Sequence, residues 1–239
     1  MKPMRCLFLA ILSLCFFSGC LELSEFTQIQ SDGSVNYELR ITIPDFPEKD
    51  KKKDPDKDVE KDIAEFMKDT HVKGLTPVGN EDKDADGLKI MAIKLKGDSL
   101  LDLNALYASI GKGSKGTGDK KKGKEAFDQL FAKSGYQVKK TKSGTLKISR
   151  GFTPPKLPKP KKSDEGDKKM NKEFEEMFMN MFRFKFEVFV PTELVQSNAE
   201  MVFGNNLRWE STFGYLVKNP MNMEFEIRSN PELDKALAR

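Results

Sequence analysis

Past residue 20 the chain alternates between stretches with a clear hydrophobic period and stretches with none. In residues 35–43, Val35, Tyr37, Leu39, Ile41 and Ile43 fall on every second position, the period of a strand with one buried face. Residues 23–30 precede this run across Ser31-Asp32-Gly33-Ser34. Asp-Gly between two such runs predicts a hairpin, because glycine supplies the positive φ of the turn. Pro44 and Pro47 end the second strand. In residues 58–70, Val59, Ile63, Phe66 and Met67 recur at helical spacing. Residues 72–78 and 87–96 predict another strand pair, 100–110 and 125–133 short helices, and 136–140 with 145–150 a hairpin across Lys142-Ser143-Gly144.

The C-terminal third is the most regular. Met170, Phe174, Met177, Phe178 and Met181 mark one face of a helix. Phe182, Phe184, Phe186, Val188 and Val190 then alternate with Arg183, Lys185 and Glu187, a strand with one apolar and one wet face. Residues 201–203 and 207–213 predict a hairpin over Gly204-Asn205-Asn206, and Met221, Met223, Phe225 and Ile227 a final strand. The expected fold is α+β: an antiparallel sheet with a few amphipathic helices packed on one face. Residues near 48–58, 111–124 and 153–169 are dominated by Lys, Asp, Glu, Gly and Pro, and read as long charged loop insertions rather than domain boundaries. The expected organisation is a removable segment 1–19, one domain over 20–230, and a C-terminal tail 231–239.

The first twenty residues add a location. Lys2 and Arg5 precede an apolar run over residues 6–17, followed by Ser18, Gly19 and Cys20. A basic head, a short apolar stretch and a small-residue site make a secretory signal peptide. The run is shorter than the roughly 20 residues that span a bilayer. Phe17-Ser18-Gly19-Cys20 resembles the lipobox of bacterial lipoproteins, with Phe17 where that family usually has Leu. The resemblance implies cleavage after Gly19 and a diacylglycerol anchor on the Cys20 thiol. Leu21-Glu22, with no Asp after the cysteine, resembles the sorting pattern of outer-membrane rather than inner-membrane lipoproteins.

Cysteine and charge counts narrow the chemistry further. Cys6 and Cys15 leave with the signal and Cys20 carries the anchor, so the 220-residue body expects no disulfide, no thiolate metal site and no Cys nucleophile. Loss of Lys2 and Arg5 leaves 39 basic against 37 acidic residues, a balance unlike that of a nucleic-acid binder.

Residues 186–209 carry a second resemblance. An aromatic strand, a Pro191 stop, Ser197-Asn198-Ala199, and Gly204-Asn205 leading to a strand with Trp209 are similar to the end of the LppM-type domain of bacterial lipoproteins. Cys20, a short strand, Asp32-Gly33-Ser34 and an alternating strand resemble its opening. Pro191-Thr192 stands where that family tends to have Gly, and the Lys-rich insertions are atypical of it. The resemblance implies an α+β envelope domain without recognised catalysis, and assigns no functional residue.

Other patterns point to chemistry less directly. Asp82, Asp84 and Asp86 before Gly87 reproduce the first half of a calcium loop, but the position of the closing carboxylate holds Ala92 or Ile93. An acidic turn accounts for the same residues, so they stand as a calcium candidate beside that reading. Residues 118–124 have the outline of a phosphate-binding loop, with Glu125 where Ser or Thr must hold magnesium. Met177, Met179, Met181, Met221 and Met223 suggest thioether ligands for copper, yet all but Met179 lie on apolar faces. His71 is the one histidine, and neither a nucleophile elbow nor a zincin helix occurs, so no enzyme is expected. The expected function is a membrane-anchored binding or adhesion module of the cell envelope, contacting an envelope protein or a hydrophobic ligand, without a cofactor beyond its acyl anchor. A structural or assembly factor of the envelope is the alternative.

Overall fold

The computed structural model describes residues 21–44, 72, 74–85, 87–110, 131, 134–154 and 179–237. The signal segment with Gly19 and Cys20, the insertions at 48–58 and 111–124, most of 153–169, the helix expected at 58–70 and His71 lie outside them, as do nearly all of the helices expected at 125–133 and 170–181.

The strands are β1 (Glu22–Ile29), β2 (Val35–Pro44), β3 (Leu75–Ala85), β4 (Leu88–Gly97), β5 (Tyr136–Lys140), β6 (Thr145–Phe152), β7 (Arg183–Phe189), β8 (Leu194–Ser197), β9 (Met201–Phe203), β10 (Asn206–Thr212) and β11 (Met221–Arg228). A 3-10 turn, Leu100–Asp102, leads into α1 (Leu103–Ile110); α2 (Phe213–Leu216) and α3 (Pro231–Leu237) follow later. The fold is α+β, mostly antiparallel, with few helices. Seven strands form one sheet in the order β3-β4-β2-β1-β7-β10-β9, and four form a second, β5-β6-β11-β8. β1 pairs parallel with β7, the exception among otherwise antiparallel neighbours.

Both sheets bury their alternate positions in one cluster. Leu23, Tyr37, Leu95, Phe186 and Leu207 enter it from the larger sheet, and Ile148, Phe152, Phe225 and Ile227 from the smaller. Phe152 meets Phe186 across the gap at 4.8 Å between ring centroids. These apolar side chains form the packed core of the described residues. Phe131, from the segment expected as a helix, is buried against Phe152 and Phe184.

Some boundaries differ from the sequence reading. β3 does not stop at Val78 but runs on through Asn80-Glu81-Asp82-Lys83-Asp84, since its outer edge meets water and tolerates charge. β8 is a strand the pattern did not show. Thr212 closes β10 and caps α2, its hydroxyl accepting from the Tyr215 amide at 3.2 Å, so Phe213 belongs to the helix.

Residues 231–237 are likewise not a tail. Asn230 caps α3, accepting from the Leu233 amide at 2.8 Å, and Pro231 occupies the first helical position, where its missing N–H costs nothing. Leu233, Ala236 and Leu237 are buried. The Ser99 hydroxyl donates to the Ala236 carbonyl at 2.9 Å, fixing the helix end to the turn that starts α1. Gly33 in the β1–β2 turn has φ 82°, and a Cβ there would stand 2.3 Å from the Ala236 Cβ. Glycine serves that turn twice, once for its backbone and once for the helix against it.

Candidate functional site

The inner face of β1 carries Glu25 and Thr27 between Leu23 and Ile29. Glu25 is 2 % exposed, and opposite it Arg150 of β6 is 1 % exposed. Both terminal nitrogens of Arg150 reach the Glu25 carboxylate, one of them at 3.2 Å. Arg150 Nε donates to the Ser134 carbonyl at 2.7 Å. Its guanidinium lies 3.9 Å from the Tyr107 ring centroid and 4.7 Å from that of Phe152. Burial opposes the Arg150 charge, but the Glu25 carboxylate, together with Tyr107 and Tyr136, outweighs it and holds the pKa well above the ordinary value. Burial pushes the Tyr37, Tyr107 and Tyr136 hydroxyls up, and the Glu25 charge adds to this in all three. Such groups keep their protons and charges near neutral pH. The pair is a sealed electrostatic bolt between the sheets.

A second junction lies where the smaller sheet meets β10. The Asn198 side-chain oxygen accepts from the Trp209 indole at 3.0 Å and from the Glu224 amide at 2.8 Å, while its nitrogen donates to the Asn222 carbonyl at 2.8 Å. Ser197 caps the same loop by accepting from the Ala199 amide at 3.0 Å. An open cleft of about 930 Å³ lies beside this brace, lined by Glu22, Arg183, Lys185, Glu210, Thr212 and Tyr215 among others. It sits at the end of the larger sheet where β1 begins, and none of the residues around Arg150 lines it. Its lining mixes these polar groups with Phe184, Trp209, Pro220 and Met221.

A third feature is apolar and on the surface. Met201, Val202 and Phe203 of β9 are 46 %, 48 % and 86 % exposed. Phe189 and Phe203 flank Asn206 in one row across β7, β10 and β9, and Phe189 is exposed too. Val195 of β8, the last strand of the smaller sheet, is exposed as well. Residues 194–203 contain one charge, Glu200, so two neighbouring sheet edges present a nearly neutral apolar surface.

The sequence-predicted sites fall elsewhere. Cys20 and Gly19 lie outside the described residues. Asp82 and Asp84 are exposed on one side of β3, paired in register with Met91 and Lys89, while Asp86 lies outside the described residues. Among the described residues no group of three or more His, Cys, Asp or Glu could hold a metal ion. Met223 is buried core, and Met221 lines the cleft. Sequence reasoning missed the Glu25–Arg150 pair and the exposed edge. Arg150 did carry a signal, a charge in phase with Leu146, Ile148 and Phe152.

No protein-family model matches the chain, and no curated protein matches it. A solved structure, the NMR structure of the folded domain of the Mycobacterium tuberculosis LppM protein, is similar at a TM-score of 0.47 and 11 % sequence identity, over 90 % of this chain and 94 % of that one. Ser197, Asn198 and Trp209, which carried the sequence resemblance, are the brace residues here, so their place in this chain is architectural. No helix among the described residues is long and apolar enough to cross a membrane.

Proposed function

We propose that the chain is a cell-envelope lipoprotein, held to a bilayer by acyl chains on Cys20, with a body that acts as a non-catalytic binding or adhesion module. The observation that carries this reading is the exposed apolar edge formed by Met201, Val202, Phe203 and Phe189. Exposed apolar side chains gathered along one sheet edge of a charged body mark a contact with a partner.

The position of that surface fits a tethered protein. The Leu21 carbonyl accepts from the Arg183 amide at 2.9 Å, so the body begins directly after Cys20. Leu21 alone separates Cys20 from Glu22, a leash of at most about 7 Å. Phe189 stands in register with Gln28, roughly 20 Å along β1 from Glu22 at the usual strand rise. The apolar edge is thus clear of the attachment point. Its chemistry favours a weakly charged protein surface, and Leu21-Glu22 favours the outer over the inner membrane.

Intact-mass and N-terminal peptide analysis of protein from native membranes should recover Cys20 as an acylated first residue. An uncleaved, unmodified terminus removes the tether. For the contact surface, Phe203→Asp should reduce chemically crosslinked complexes in native membranes by about ten-fold or more, as expected for an aromatic anchor. Unchanged crosslinking removes this edge as the contact.

A further inference from the structure

β9 ends the seven-stranded sheet, and its geometry restricts what can pair with it. Phe203 and Asn206 flank a two-residue turn, Gly204-Asn205, and Val202 and Met201 pair with Leu207 and Arg208. In a two-residue hairpin the flanking pair exchanges both main-chain hydrogen bonds, and bonded pairs then alternate. Met201 and Phe203 therefore direct their N–H and C=O groups to β10. Val202 directs its own to the open edge. The Met201 and Phe203 side chains share one face of the sheet, and Val202 takes the other.

We propose that this edge pairs with the same edge of a second copy of the chain, antiparallel and in register about Val202, joining the two larger sheets into one. The proposal rests on the reading of β9 as the contact surface and names its occupant. In this register the N–H and C=O of each Val202 meet those of the other across a two-fold axis. Met201 lies opposite Phe203 of the second copy on one face, a thioether against an aromatic ring. Glu200, the one charge within residues 194–203, lies opposite Gly204, so no like charges are opposed between the two paired strands. The exposed row of Phe189 and Phe203 continues into Met201 of the second copy.

The opposite edge of the same sheet is guarded. β3 carries Glu81, Asp82, Lys83 and Asp84 in succession, and its register shifts between Pro77 and Gly79. Charges and irregularities on an edge strand oppose pairing with another chain. β9 has neither. A three-residue edge is a small interface, but tethering in a bilayer raises the effective concentration of one copy for another. Because the axis reverses the strands, the two Leu21 ends leave from opposite ends of the joined sheet, and a dimer on one bilayer lies with its strands along the surface.

Disulfide trapping tests this, since the mature body has no thiol of its own beyond the anchored Cys20. Paired residues at the axis have Cα atoms about 5.5 Å apart, within disulfide range. Val202→Cys in native membranes should give a disulfide-linked dimer under mild oxidation at least about ten-fold more abundant than Val78→Cys, which places a thiol on β3 at a more exposed position, 60 % against 48 %. Adding Phe203→Asp to Val202→Cys should lower that yield. Equal, low yields from Val202→Cys and Val78→Cys overturn the proposal. If Phe203→Asp still abolishes a crosslink to a different protein, the edge serves another partner and the module reading stands. If it changes no crosslink, both readings fall.

Discussion

Glu25 and Glu187 stand on neighbouring, parallel strands, one residue out of step, and that single residue puts them on opposite faces of one sheet. Each is bound by an arginine. Glu25 faces inward to Arg150, where neither side chain meets water. Glu187 faces outward and binds Arg208 at 2.7 Å and Lys185 at 2.9 Å, with side chains 17–34 % exposed. The same residue types do different physical work on the two faces. Inside, each charge has lost its hydration and has the other as its one counter-charge, so the pair matters for what its loss would leave behind. Outside, water and salt substitute readily, and the network adjusts the surface more than it holds the fold.

The sharpest test of that contrast is to remove one inner partner. Arg150→Met keeps the bulk but leaves Glu25 buried without a counter-charge, and should destabilise the protein by about 3–5 kcal/mol in chemical denaturation. Combining it with Glu25→Leu should recover most of the loss, because two apolar side chains of similar volume suit the surrounding Phe152, Phe186 and Tyr107 rings. A double variant no more stable than the single one would show that the pair also supplies specific packing that methylenes do not replace.

How far this was legible in the sequence depends on the element. Long alternating strands such as β2 and β7 announced themselves, because five apolar side chains in phase leave one choice of face. β1 did not disclose its faces. Its odd positions read Leu23, Glu25, Thr27, Ile29 and its even ones include Phe26, so neither face is plainly apolar until the partner sheet is known. Parallel pairing of β1 with β7 joins segments more than 150 residues apart, a contact no local pattern encodes. β8 is too short to show a period; β9 is as short and was legible only through the Gly204-Asn205 turn that follows it, and the charges that guard the edge of β3 hide its second half. Asn230-Pro231 followed by Glu232 was a readable helix start, but a helix of seven residues shows only one apolar face turn and is easily taken for a tail. As for sites, the sequence pointed to Cys20 and to an acidic cluster, whereas the exposed edge exists only once the strands are ordered.

The outer network should respond far less. Burial alone raises the Glu187 carboxyl, but the Lys185 ammonium and then Arg208 overcome it and hold its pKa below the ordinary glutamate value. A depressed folded pKa contributes stability above the unfolded pKa, and this is lost as pH falls through the folded value. Glu187→Gln should therefore cost about 1 kcal/mol or less near neutral pH, less still in high salt, and the gap to the parent should close below about pH 4. A loss comparable to that of Arg150→Met would erase the distinction between the faces.

The smallest effect should come from an ion pair that is outside altogether. Arg228 Nε and Glu193 lie 3.1 Å apart with side chains 62 % and 68 % exposed. The main chain there is already fastened, since the Arg228 amide donates to the Glu193 carbonyl at 2.9 Å and Thr192 donates to the Arg228 carbonyl at 2.7 Å. Removing either side chain leaves those bonds in place and strands no buried charge. A double-mutant cycle with Glu193→Gln and Arg228→Gln should give a coupling within about 0.5 kcal/mol of zero. A coupling of several kcal/mol would mean that exposure does not rank these pairs, and the contrast between Glu25 and Glu187 would need another cause.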